Sequence, residues 1–67
     1  MAEVRITPRE KEILIWLSDG KTAADIGAFI GCTRATVETH KQRVMNKLGA
    51  ANVTSMIAMA LRGKIIE

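Results

Sequence analysis

The sequence predicts an all-α fold of four short helices in one small domain. Three observations carry this reading. Thr7, Thr22, Thr33 and Asn52 stand where helix caps stand, apolar residues recur at helical spacing behind each, and no stretch alternates apolar and polar residues as a half-buried strand would. With 67 residues, 48% of them apolar, the chain has room for a single core.

Helix 1 starts at Ile6-Thr7-Pro8-Arg9-Glu10, which supplies an apolar residue before the cap, a Thr cap, Pro at the first helical position and Glu to close a capping box. Ile13, Leu14, Trp16 and Leu17 form its apolar stripe, and Asp19-Gly20 ends it. Helix 2, about residues 22–30, opens on a second box, Thr22-Ala23-Ala24-Asp25, with the shorter Asp in place of Glu. Ile26, Phe29 and Ile30 recur along it, and Phe29, like Trp16, is expected in the core.

Gly31-Cys32 reads as a tight turn before Thr33 caps helix 3, about residues 34–48. Val37, Val44 and Leu48 give that helix its buried face, leaving Ala35, Glu38, Thr39, Gln42 and Asn46 on a polar one. Asn52 caps helix 4, about residues 52–62, with Val53, Met56, Ile57, Ala60 and Leu61 as its core stripe and Gly63 as its end. The isoleucines of Lys64-Ile65-Ile66-Glu67 are expected to fold back on the core. Residues 1–5 read as an N-terminal extension and 6–67 as the domain.

Composition excludes several classes of function. Trp16 and Phe29 are the chain's only large aromatic residues, too few for the stacking platforms that hold single strands. Cys32 and His40 are its one cysteine and one histidine, so no disulfide within the chain and no Cys/His zinc site is expected, and no metal or cofactor. Cys32 reads as a small core residue of the turn. No apolar run is long enough to span a membrane and no signal peptide opens the chain, so the expected location is the cytoplasm. Neither a phosphate-binding Gly loop nor a Ser-His-Asp set is present, and no enzyme is expected.

Charge is unevenly placed. The net charge is +3, yet residues 1–31 carry −1 and residues 32–67 carry +4, so the field that attracts polyanions belongs to the second half. Arg5, Arg9 and Lys11 interleave with Glu3, Glu10 and Glu12, the pattern of a solvated face.

Helices 2 and 3, joined by a Gly turn with Gly27 in the middle of the first, have the layout of a helix-turn-helix, in which a small residue lets the two backbones approach. The same spacing also suits an ordinary corner in a helical bundle. From Ile6 to Ile66 the chain resembles the LuxR-type (GerE, NarL and FixJ) helix-turn-helix domain of bacterial transcription regulators. The resemblance rests on Thr7-Pro8-Arg9-Glu10 with Ile13-Leu14, Gly20-Lys21-Thr22, Asp25-Ile26-Gly27, Thr36-Val37-Glu38-Thr39-His40 and Lys47-Leu48-Gly49-Ala50 in order. Glu after Val is most similar to the FixJ-like branch.

The resemblance implies a duplex-DNA-binding regulator whose third helix enters the major groove and whose fourth pairs two copies. Carried over by position, it implies base contacts from Glu38, Thr39 and Gln42 and backbone contacts from Lys21, Thr22, Arg34, Thr36, Arg43 and Lys47. Gln can bridge adenine N6 and N7, Glu can accept from cytosine N4, and the Thr methyl can meet that of thymine. Thr54, Ala58, Leu61 and Arg62 would line a homodimer interface on helix 4; incidental surface alanine explains the same stripe.

Ala23 departs from the Asn common there, Lys41 from Val, and Val53-Thr54 from the usual Arg. Glu38 reads equally well as an ion-pair partner of Lys41. His40 is expected to make an orienting hydrogen bond, with direct DNA contact as the alternative. The second function class is an interaction module pairing through helix 4 with a full-length relative, and contact with RNA polymerase suits either reading.

Overall fold

The structure, a computed structural model, describes residues 5–66, so Glu3 and Glu67 lie outside the described residues. It contains α1 (Pro8–Ser18), α2 (Ala23–Ile30), α3 (Arg34–Leu48) and α4 (Val53–Arg62), and among the described residues no strand. Each helix begins where its cap was expected. Thr7 accepts from the Glu10 N–H while Glu10 reaches back to the Thr7 N–H, and Thr22 and Asp25 repeat the arrangement. Thr33 and Asn52 accept from the Thr36 and Ser55 N–H groups.

Helices α1 and α3 each pack against all three others, α3 most closely against α2, whereas α2 and α4 do not meet. Two apolar clusters result. Ile13, Ala23, Ile26 and Val37 fill the angle between α1, α2 and the first half of α3, with Ile30 and Cys32 at the edge. Leu14, Val44, Met56, Ala60 and Ile66 join α1, the second half of α3, α4 and the returning tail. Adjacent residues of α1 thus serve different clusters, and Leu17 packs against both. The tail turns back through Lys64, whose φ of 57° is left-handed, and the burial of Ile66 to 3% exposure offsets that strain.

Three core expectations are corrected. Phe29 is 53% exposed. It lies roughly 110° around α2 from the centre of the buried Ala23–Ile26–Gly27 face, and its ring pairs with Trp16, itself half-buried, with centroids 4.8 Å apart. Leu61 is also exposed, because the buried face of α4 is centred on Met56 and Ala60 and no third helix covers its flank. Glu10, read as part of a solvated face, is 2% exposed.

Candidate nucleic-acid interface

The α2–α3 turn sets the pose of the polar helix face. A Cβ on Gly27 would lie 2.6 Å from the Cys32 carbonyl oxygen, a backbone atom, so the close approach expected of Gly27 is real. The Cys32 N–H donates to the Gly27 carbonyl at 2.9 Å, and Gly31, at φ 75°, turns the chain between them. Val37, fully buried, then fixes the rotation of α3 about its axis.

With that rotation fixed, Ala35, Thr39, Gln42 and Asn46 form an exposed stripe. Among the described residues the polar groups there bond only within the helix: the Thr39 hydroxyl donates to the Ala35 carbonyl at 3.0 Å, and the Gln42 amide donates to Asn46 Oδ1 at 3.1 Å. Glu38 is half-buried and pairs with Lys41 at 2.7 Å, the ion-pair alternative weighed for it. This pair leaves the Lys41 stem largely covered and adds no free cation to the face.

Around the stripe, Lys21 and Thr22 stand at the N-terminus of α2, Arg34 and Thr36 at the N-terminus of α3, and Arg43 farther along; all are exposed. Among the described residues Lys21, Arg34 and Arg43 have no ion-pair partner. The Thr22 hydroxyl caps Asp25, and Thr36 Oγ1 lies 3.0 Å from Thr33 Oγ1. Ala23 is packed into the corner cluster.

Lys47 stands apart. Its ammonium lies 2.6 Å from Glu10 Oε1 and 2.9 Å from the Arg5 carbonyl oxygen. Burial alone would raise the Glu10 pKa, but the bond and charge of Lys47 and the Thr7 N–H bond outweigh it and hold the carboxyl below its ordinary value. No local signal announces this pair, since 37 positions separate its members; the capping box gave Glu10 a role without showing where its other face points.

His40 is half-buried, and its Nδ1 is buried without a hydrogen-bond partner among the described residues, so the orienting bond expected of it is not formed there. On α4, Thr54, Leu61 and Arg62 are exposed and Ala58 half-buried, forming one flank away from Met56 and Ala60. No helix among the described residues is long and apolar enough to cross a membrane.

Comparison with known proteins agrees with this geometry. The family described as bacterial regulatory proteins, luxR family (GerE) matches residues 4–60. The chain is 47% identical over 63 residues to the transcriptional activator protein BjaR1 of Bradyrhizobium diazoefficiens, covering 94% of this chain and 26% of that protein. It is 47% identical over 57 residues to the quorum sensing-dependent transcriptional regulator RpaR of Rhodopseudomonas palustris, covering 85% and 24%. The chain therefore spans about a quarter of the length of these curated relatives. Among solved structures it is similar to the response regulator ChrA of a heme-sensing two-component system, with a TM-score of 0.91, 32% identity and coverage of 98% of this chain and 33% of that one. The phage VqmA–DPO complex gives a TM-score of 0.84 at 35% identity, covering 92% and 28%. With capped helices, a glycine-dependent corner and a match over most of its length, the chain belongs to the luxR family of bacterial regulatory proteins.

Proposed function

We propose that this domain regulates transcription by binding duplex DNA at chosen sequences, with α3 in the major groove and two copies paired through α4. The observation that carries the reading is the exposed Thr39–Gln42–Asn46 stripe, where the Thr39 hydroxyl and the Gln42 amide bond within their own helix and can exchange those bonds for base edges without unpairing anything buried. Glu38, Thr39 and Gln42 are the base readers. Glu38 can reach cytosine N4 only by exchanging or sharing its bond with Lys41, which makes it the most demanding of the three.

Lys21, Arg34 and Arg43 neutralise phosphates, helped by the Thr22 and Thr36 hydroxyls and by N–H groups at the starts of α2 and α3. Thr54, Ala58, Leu61 and Arg62 form the contact between copies. Leu61, 46% exposed, supplies apolar area there, and half-buried Ala58 permits close approach. Such a regulator works in the cytoplasm, where bacterial DNA lies.

Selection of duplexes from a random pool tests the reading. It predicts an enriched site in two related halves, and a Gln42→Ala protein that loses about 5- to 150-fold in affinity for it while non-specific binding is unchanged. Enrichment of no sequence, with equal affinity for all duplexes, would contradict it.

A further inference from the structure

We propose that Lys47 is a positioning residue and not a phosphate ligand: together with Glu10 it ties the last turn of α3 to the first turn of α1 and to the chain entering the domain at Arg5. The assignment rests on the reading of α3 as the groove-entering helix. The Lys47 ammonium is engaged by groups of its own domain. It has two acceptors already, Glu10 Oε1 and the Arg5 carbonyl, and the same Glu10 oxygen also accepts the Thr7 N–H at 2.9 Å. Glu10 Oε1 and the Lys47 ammonium together thus join the start of α1, the end of α3 and the chain at Arg5.

The balance of charges keeps the ammonium there. The Glu10 side chain is 3% exposed and the Lys47 side chain 36%. Moving Lys47 out to a phosphate would strand a buried carboxylate, and that costs far more than one solvent-exposed ion contact returns. The cation also sits in the last turn of α3, where the helix dipole favours it. Arg43, four residues earlier, has no such tether and stays available to phosphate.

The consequence concerns pose. Val37 and the glycine turn fix the start of α3, and the Glu10–Lys47 tie fixes its far end relative to α1. A helix held at both ends presents Thr39 and Gln42 at one height and angle in the groove. Loosening the far end spares contacts that need only charge and degrades those that need geometry.

Salt titrations on an enriched duplex and on a scrambled one separate the roles. Wild-type protein, Lys47→Met, Glu10→Gln and Arg43→Ala are compared, with circular dichroism confirming the fold. Lys47→Met is expected to lose at least tenfold in affinity for the enriched duplex while keeping the wild-type slope of log K against log salt. Arg43→Ala flattens that slope by about 0.9. In Glu10→Gln the shape and the cap are kept but the charge holding Lys47 is gone, so the scrambled duplex binds more tightly, the enriched one more weakly, and the slope steepens.

A Lys47→Met slope flattened by about 0.9 would overturn the proposal, because that is the signature of a lost phosphate contact. So would a Glu10→Gln protein that loses equally on both duplexes at unchanged slope, which marks a pair serving stability alone. If Lys47→Met does not fold, the Nζ resonance of Lys47 in the wild-type protein decides: unchanged on adding duplex if the tie holds, shifted if phosphate takes the ammonium. A flat wild-type salt dependence would instead sink the DNA-binding reading, and this assignment with it.

Discussion

At the α2–α3 corner the contact is backbone on backbone: the Gly27 Cα lies so close to the Cys32 carbonyl that no side chain fits, and the apolar cluster beneath is small. Across the molecule, α1, α3 and α4 meet through side-chain volume, with Leu14, Val44, Met56 and Ala60 all fully buried, and through the Glu10–Lys47 ion pair at the edge. The first region fails when something is added and the second when something is removed. The difference follows from their tasks, since the corner must hold an angle while the other side is joined by interlocking side chains.

Met56→Ala has the largest expected effect, about 2–5 kcal/mol lost in chemical denaturation, because the cavity opens in the main cluster. In a domain of this size, whose whole stability is expected near 3–10 kcal/mol, that approaches unfolding. The protein that remains folded should bind the enriched duplex normally. Gly27→Ala should cost about 1–3 kcal/mol despite the better helix propensity of Ala, since the clash is with backbone. It differs in kind: duplex affinity falls even under conditions where the protein is fully folded, because α3 is re-angled. If Gly27→Ala lost stability with affinity intact, the corner would be a packing feature like any other.

The Glu10–Lys47 seam gives a smaller, pH-dependent effect. Folding lowers the Glu10 pKa, so its contribution is complete above the unfolded value of about 4.3 and disappears as pH falls through the folded value. Urea unfolding of wild-type and Glu10→Gln proteins should therefore differ most above about pH 5 and converge on acidification. A difference that is constant with pH would show that the carboxylate charge contributes nothing.

The same contrast explains what the sequence disclosed. Helix starts were legible because a cap and its partner lie three residues apart, and the corner was legible because Gly27, Gly31 and Thr33 are neighbours in the chain. Phe29 was misjudged for the opposite reason: spacing tells which side of a helix a residue shares, but not whether another helix covers that side, and α4 does not reach α2. Glu10 was misjudged because its ion-pair partner is 37 residues away. The polar stripe of α3 was legible as a stripe. Which of its cations are free was not, since Lys41 and Lys47 are engaged by carboxylates while Arg34 and Arg43 have none among the described residues.

In the proposed function α3, held by the corner, meets duplex DNA with its exposed polar face. Backbone amide spectra of the isotope-labelled protein, recorded while an enriched duplex is added, test it most directly. The largest shifts are expected at Thr39, Gln42 and Asn46 and at the starts of α2 and α3, around Thr22 and Arg34, with α1 little changed. Shifts concentrated instead on α1 or around Trp16 and Phe29, with the α3 stripe unmoved, would contradict it.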